Sequence, residues 1–526
     1  MKEGFRQAMA WLHTWAGLIF GWLLFAIFLT GTMSYFKPEI TRWSQPEIPV
    51  RALDSAASLA IAQDYLQRNA PDAPSWFIQL PDERSPGLGV GWRGGDGPRG
   101  FTRKTLDAQT GEEIVPRDSR GGDFFYRFHF QLEMPYPWGR WLASFAALMM
   151  LVGLVTGIIT HKKIFKEFFT FRPGKGQRSW LDGHNAIGVL VLPFHLMISY
   201  SSLVIFMYMV MPASILASYG SDQQAFFNDV FGPRETLKAS GEKFPLPALP
   251  ELYAQVKEQA PQTTITWVDI QRPGDRTAQV LFVPDGHERI VVQRGAGWRY
   301  NAADGSLAWS ARPEHVPGII TGGFYGLHMG EFAGPMVRWL YFFFGLAGTA
   351  VIGTGLVMWL GKRQLKHVKS GTQPFELRLV EVLNIASMSG LILAVAGFFW
   401  ANRLLPVALE GRSDWEVNLF FAVWLGALLH ALLRKGRRAW GEQLALAALL
   451  WAGLPLLNAV TTGQGLDHSL LAGDWAMAGF DLTALGCGLF FAWAAGKMLR
   501  APAPAAKRAP KPTKATPALN TEAEAS

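Results

Sequence analysis

At 526 residues, with 17% charged and 49% hydrophobic and with 21 Trp and 36 Phe, the chain has too little polar surface for a string of soluble domains. Its single cysteine, Cys487, excludes an internal disulfide framework, a thiolate-held iron–sulfur cluster and a cysteine-based zinc site, so any metal chemistry rests on His, Asp, Glu or Met. The net charge of +8 gathers in short loops between apolar runs, which is a membrane-topology pattern and not a nucleic-acid-binding patch.

Crossing a bilayer as a helix takes about 20 apolar residues, because each backbone polar group must be satisfied within the segment. About eight stretches meet this requirement and predict a polytopic α-helical membrane protein. They are Gln7–Phe36, Gly139–Thr160, Trp180–Met211, Val337–Leu360, Val380–Asn402, Val417–Leu433, Gln443–Val460 and Trp475–Leu499. Lys2 and Arg6 precede the first, but its apolar run is longer than a signal-peptide core and no small-x-small cleavage pattern follows, so it is expected to stay as an anchor. Basic residues concentrate at Lys162, Lys163, Lys166, Arg172, Lys175 and Arg178, at Lys362, Arg363, Lys366 and Lys369, and at Arg434, Lys435, Arg437 and Arg438. The positive-inside rule makes these loops cytoplasmic, with both termini, and places segments 37–138 and 212–336 on the outer face. The cytoplasmic loops are too short for a nucleotide or flavin domain, and the Ala-, Pro- and Lys-rich tail 500–526 has the composition of a disordered linker. The G-x-G-x-x-G match at Gly89–Gly94 is accidental, since no helix-forming pattern follows it.

An internal repeat organises the first four spans. Trp11-Leu12-His13 with Gly17 is echoed by Trp180-Leu181 with His184 and Gly188. Asp107-Ala108-Gln109-Thr110-Gly111 resembles Asn301-Ala302-Ala303-Asp304-Gly305, each a turn after strand-like residues. Phe125-Tyr126-Arg127-Phe128-His129 leads to Arg140-Trp141-Leu142, as Phe324-Tyr325-Gly326-Leu327-His328 leads to Arg338-Trp339-Leu340; Thr156-Gly157 and Thr354-Gly355 follow. The unit of helix, outer segment, histidine and helix thus occurs twice in the same orientation. Parallel repeats pack about an axis along the membrane normal, which sets His13 across from His184 at the inner side and His129 across from His328 at the outer side.

Ionisable side chains within spans are costly unless partnered. The first span holds no Asp, Glu, Lys or Arg between Gln7 and Phe36, and Asp182, Glu381 and Asp481 lie towards span ends, unlike the deep carboxylates of a proton-coupled transporter. Histidines without carboxylates suit axial ligation of haem, with Gly17, Gly21 and Gly188 allowing a flat macrocycle to approach the backbone. His195 follows His184 by eleven residues, about 16 Å along one helix and on nearly the same face, which suggests a second cofactor level. Its counterpart in the first repeat is Leu24, so its partner would be His129 or His328. The competing reading for each histidine is a hydrogen bond between helices. His161, His367 and His430 adjoin the inner interface, and His287, His315 and His468 read as surface residues. No H-E-x-x-H occurs, which leaves a zinc protease without a site.

His13-x-x-x-Gly17, the Phe-Tyr-x-x-His runs at His129 and His328, Gly183-His184-Asn185 and Leu192-Pro193-Phe194-His195, in this order, resemble the PepSY-associated transmembrane helix family over residues 1–370. Better understood members of that family look like inner-membrane haem proteins that reduce ferric siderophores at the periplasmic face. The resemblance implies two small α+β periplasmic PepSY-like domains, at 37–138 and 212–336, and noncovalent haem b, two per chain. One haem would be held by His13 and His184, and the other served by His129, His328 and His195. It further implies a ferric siderophore as partner and a cytoplasmic or quinol electron donor. Phe124, Phe125, Tyr126, Tyr136, Trp138, Phe324 and Tyr325 read as an interfacial belt or as part of the chelate surface. Residues 361–499 add helices 5 to 8, to which no motif assigns chemistry; they would be a scaffold, a partner surface or a quinone site. Two other functions remain open: a non-catalytic module whose outer domains bind a partner or restrain a peptidase, and a haem-dependent quinone oxidoreductase unrelated to iron.

Overall fold

The computed structural model describes residues 3–94, 100–161, 171–231, 238–286, 289–292, 297–310, 316–367 and 373–500. Lys2, Lys162, Lys163, Lys166, Lys369, His287, His315 and the tail after Arg500 lie outside the described residues. The helices are α1 (Glu3–Ser34), α2 (Lys37–Ser44), α3 (Ser55–Asn69), α4 (Gly121–Gln131), α5 (Trp138–Thr160), α6 (Gln177–Leu190), α7 (Leu192–Ile205), three short ones α8 (Met207–Val210), α9 (Pro212–Tyr219) and α10 (Gln223–Phe231), then α11 (Leu249–Gln259), α12 (Val316–Met329), α13 (Pro335–His367), α14 (Phe375–Ile385), α15 (Leu391–Leu404), α16 (Arg412–Leu433), α17 (Gly436–Thr462), α18 (Leu466–Leu471) and α19 (Trp475–Arg500).

Seven spans are long and apolar enough to cross a bilayer, α14 and α15 counting as one, and the α6–α7 pair makes an eighth. All eight predicted spans are therefore present, most of them longer than the apolar run alone indicates. The third departs from expectation, because α6 and α7 meet at an angle of 66°. Pro193, the second residue of α7, has no N–H to donate and its ring crowds the carbonyl four residues back, which breaks the helix there. His184 and His195 consequently sit on different helices and do not share one straight face. The span α14–α15 carries a π-helical turn at Ala386–Gly390. Arg363 lies over the ring of Trp15 in the first half of α1, while Arg42, beyond the far end of α1, pairs with Asp474 just before α19.

The two outer segments contribute four strands each, β1 (Ser75–Gln79), β2 (Leu88–Arg93), β3 (Phe101–Leu106), β4 (Glu113–Ile114), β5 (Ile265–Gln271), β6 (Gln279–Pro284), β7 (Trp298–Asn301) and β8 (Leu307–Ser310). They join into one eight-stranded sheet of order β4-β3-β2-β1-β5-β6-β7-β8. The seam is the antiparallel pair β1–β5, with Phe77 opposite Asp269 and Ile78 opposite Val268. Alternate residues turn inward, so Trp76, Ile78, Leu88, Val90, Val268, Ile270, Val280 and Phe282 form one core with Leu59 and Leu66 of α3 and Leu252 and Val256 of α11. The two segments expected as small α+β domains are thus halves of one layer. Their predicted turns match: Gly111 and Gly305 adopt left-handed φ of 74° and 66°, each donating its N–H to the residue four back, Asp107 O at 2.9 Å and Asn301 O at 3.0 Å. The glycine-rich run at Gly89–Gly94 lies along β2 and its following turn, with β3 next among the described elements.

Below the sheet, α1 is central, packed against α4, α5 and α13. The helices α14 to α19 build on the α1–α2–α4 flank, where Trp43, Phe124, Phe125 and Phe128 share an aromatic core with Phe398, Phe399 and Phe420.

Candidate cofactor site

The repeat places its histidines in two facing pairs. His13 of α1 and His184 of α6 have ring centres 6.3 Å apart with planes at 81°. His129 of α4 and His328 of α12 have ring centres 6.1 Å apart with planes at 40°. The pairs occupy different depths: along α1, His13 and the Ile27 carbonyl that meets His129 are fourteen residues apart, about 21 Å of helix.

Each ring is held from behind by a different helix. His13 Nδ1 donates to Gly153 O of α5 at 2.8 Å, with Thr156 Oγ1 at 3.4 Å. His184 Nδ1 donates to Val351 O of α13 at 3.0 Å and to Thr354 Oγ1 at 3.0 Å. The repeated Thr-Gly pairs explain this correspondence. In both cases the threonine and the carbonyl three residues before it form the anchor, while the following glycine lets the ring approach; a Cβ on Gly157 would lie 3.2 Å from His13 Cε1 and one on Gly355 3.4 Å from His184 Cε1. At the sheet side, His129 Nδ1 donates to Ile27 O at 2.7 Å. His328 Nδ1 lies 2.9 Å from Ser201 Oγ, whose proton goes to Ile198 O, so the hydroxyl accepts from the ring. Ile27 and Ile198 are both fourteen residues beyond the histidine that opens their repeat.

A carbonyl oxygen can only accept, so at His13, His184 and His129 these bonds fix the proton on Nδ1 and leave the Nε2 lone pair as the donor atom. No hydrogen bond reaches Nε2 of His13, His184, His129 or His328 among the described residues. Two imidazoles held this way could offer a pair of nitrogen donors to a metal-bearing group. Beside the first pair, a Cβ added to Gly17 or Gly188 would meet nothing within 4 Å, so open space lies next to both rings, whereas Gly21 packs on Leu356.

His195 stands apart from both pairs. Its ring is 0% exposed, lies edge-on to Phe28 at 5.9 Å and reaches Phe344 O at 3.4 Å through Nε2, while its Nδ1 has no hydrogen-bond partner. It faces no other histidine ring among the described residues. Of the remaining histidines, His430 bonds Glu442 at 2.8 Å through Nε2 and His468 is exposed. Asp182 pairs with Arg172 at 2.6 Å and Glu381 with Arg378 at 2.9 Å. Among the described residues, no group of three or more His, Cys, Asp and Glu is placed to hold a metal ion.

Residues 10–362 match the family described as the PepSY-associated TM region. The chain belongs to that family. No curated protein matches it. The PepSY-associated TM region contains all five histidines singled out in the sequence and both halves of the sheet, while α14 to α19 lie beyond the match. Within this family region, the sequence pattern expects the two facing pairs that the structure brings together, but it also gave His195 a partner in His129 or His328 that the structure does not supply, and it gave no role to Thr156, Thr354, Ser201 or Gly31. The signal for the two threonines was present, since Thr156-Gly157 and Thr354-Gly355 recur in register. Ser201 and Gly31 carry no comparable mark, because the second repeat has Ser202 where the first has Gly31.

Proposed function

We propose that the protein is an inner-membrane b-type haem oxidoreductase that passes electrons across the bilayer to ferric iron in a periplasmic siderophore. The observation that carries this reading is the spacing of the anchored pairs. A metal–imidazole bond of about 2.0–2.1 Å, with roughly 1.1 Å from nitrogen to ring centre, requires ring centres roughly 6.2–6.4 Å apart when one metal is clamped between two rings. The separations are 6.3 Å and 6.1 Å. Two protein ligands alone do not complete a metal site, so the remaining donors have to come from the cofactor, as the four nitrogens of a porphyrin do.

In this reading His13 and His184 hold the haem far from the sheet, and His129 and His328 the haem beside it. Bound haem supplies reversible one-electron transfer at each level, the electron arriving from a cytoplasmic or quinol donor. The backbone carbonyls behind His13, His184 and His129, and the Ser201 hydroxyl behind His328, would keep each imidazole oriented and basic at Nε2. Ferric iron in an oxygen-rich chelate gains one electron at the sheet side, and its lower charge weakens bonds to hard oxygen donors, which releases it as ferrous ion. The basic loops opposite the sheet support a cytoplasmic placement of that side and of both termini.

Pyridine haemochrome quantification on the purified chain tests the cofactor, with two haems per chain expected. A colourless protein after haem-replete expression would favour a non-catalytic membrane module. Dithionite-reduced protein in vesicles, given a ferric hydroxamate or catecholate with a ferrous trap outside, tests the substrate. Failure with every chelate in a haem-loaded protein would favour a quinone oxidoreductase unrelated to iron.

A further inference from the structure

The helix carrying His129 is gripped at its start by residues from outside the family match. Glu416 of α16 is 0% exposed in its side chain and pairs with the equally buried Arg412 at 2.5 Å. Its two oxygens accept from Arg412 and Asn402 on one side, at 2.5 and 2.7 Å, and from Ser119 Oγ and the Arg120 backbone N–H on the other, at 2.8 and 3.2 Å. Arg120 is the residue that caps α4. Glu416 therefore places its carboxylate at the amino end of α4, where partial positive charge and unpaired N–H groups gather. The grip extends outward: Arg412 donates to Asp118 O at 2.9 Å, Ser413 Oγ to Asp118 Oδ2 at 2.7 Å, and Asn402 Nδ2 to Ser119 Oγ at 3.1 Å. One turn on, Phe124 stacks on Phe398 of α15 with centres 5.0 Å apart and planes at 12°, and meets Phe420 of α16 at 4.9 Å.

An ion pair buried within one helix is expensive, since apolar residues would fill the same space at no desolvation cost. Here its carboxylate is directed at one short helix whose other end presents His129. The repeat supplies a comparison: α4 and α12, which carries His328, both approach a backbone through glycine, Gly122 of α4 lying so close to the Lys37 carbonyl that a Cβ would stand 2.2 Å away, but no carboxylate hydrogen bond to the start of α12 is found among the described residues. Its Gly322 and Gly326 lie so close to the carbonyls of Val292 and Ile290 that a Cβ would stand 2.5 and 1.7 Å away.

Resting on the haem reading above, we propose that α15 and α16 form a socket for the start of α4, in which Glu416 is a positioning residue that sets the seat of His129 and so the properties of the sheet-side haem alone. A rigid socket fixes how His129 meets the iron, and axial-ligand geometry is one of the levers on potential.

The test compares wild type with Glu416→Gln and Ser119→Ala by spectroelectrochemical titration and low-temperature EPR of the low-spin haems. Couples are assigned by repeating the titration in a His13→Ala background, which keeps the sheet-side site only. Glu416→Gln is expected to change the reduction equilibrium of that haem by about tenfold, 59 mV for a one-electron couple, and to open it to carbon monoxide, with the other couple unmoved. Ser119→Ala, which keeps the ion pair and removes the hydroxyl that connects Glu416 and Asn402 to the Gly121 amide of α4, is expected to shift the same couple in the same direction by less, and it decides the matter if Glu416→Gln does not accumulate. Equal shifts in both haems, equal loss of both, or no shift in either would overturn the socket. A wild-type protein without haem would instead overturn the function proposed above, and this inference with it.

Discussion

Three glycines touch three of the four paired rings, and the gap at each sets a graded prediction. A Cβ placed on Gly31 would stand 2.5 Å from His129 Nδ1 and 2.6 Å from Cε1. Comfortable contact begins at about 3.5 Å, so in Gly31→Ala the ring must retreat by about 1 Å. That stretches the 2.7 Å bond from Nδ1 to Ile27 O beyond hydrogen-bonding range. A buried N–H left unpaired costs about 1–3 kcal/mol, and loss of a partner behind a ligating histidine typically lowers metal affinity about 10- to 100-fold. Gly157→Ala meets His13 Cε1 at 3.2 Å, and Gly355→Ala meets His184 Cε1 at 3.4 Å, an ordinary contact. All three positions are inside helices, where alanine is favoured over glycine by about 1 kcal/mol, which offsets part of that cost. The expected order of haem loss is therefore Gly31→Ala, then Gly157→Ala, with Gly355→Ala close to wild type. The haem-to-protein ratio of purified variants and the rate of haem transfer to an apo-globin acceptor measure it. Full retention by Gly31→Ala, or greatest loss in Gly355→Ala, would refute the assignment of these rings as ligands.

Replacing His13 or His184 by Ala is expected to remove one haem equivalent and leave the other, read from the same haemochrome ratio. Because His195 faces Phe28 and the Phe344 carbonyl and no second imidazole, His195→Ala is expected to keep both haems. Loss of either would place His195 among the ligands after all. Thr354→Val removes one of two close partners of His184 Nδ1 and is expected to loosen that haem more than Thr156→Val, whose hydroxyl is 3.4 Å from His13; competitive haem transfer ranks them. In the sheet, burial alone would raise the Asp107 carboxyl, but hydrogen bonds from Arg51 and the Gln109 and Thr110 amides outweigh it and hold the group below its usual range. A carboxyl depressed on folding stabilises the protein above its unfolded value, about 3.9, and that contribution is lost as pH falls through the folded value. Asp107→Asn is expected to flatten this acid limb, which thermal unfolding between about pH 2 and 6 records.

Much of the site was legible because a repeat doubles every signal. Histidines that recur in register at His13 and His184, and at His129 and His328, could be paired across a pseudo-symmetry axis before any contact was visible. The carbonyls behind His13, His184 and His129 could not, since a backbone acceptor has no residue type; only Thr156 and Thr354 betray where two of the three lie. The bend between α6 and α7 was signalled by Pro193, yet an apolar run of sufficient length reads as one span whether or not it is broken. Hydropathy also started the sixth span at Val417, whereas α16 begins at Arg412. A window tuned to apolar residues discards charged ones at its edge, and it thereby removed the buried Arg412–Glu416 pair, the feature that ties the last helices to α4. The joining of the outer halves escaped for a different reason: strand pairing between residues almost two hundred positions apart leaves no local pattern.

The β1–β5 seam has a consequence for biogenesis. β1 leaves the ribosome well before β5, with α5, α6 and α7 still to be inserted between them. Until the second half is exported, the first presents the bare edge of β1, with Trp76 and Ile78 beside unpaired backbone groups, the kind of edge that recruits stray strands. Maturation of this protein is therefore a two-instalment event, with the earlier instalment exposed to misjoining for as long as three hydrophobic helices take to enter the bilayer.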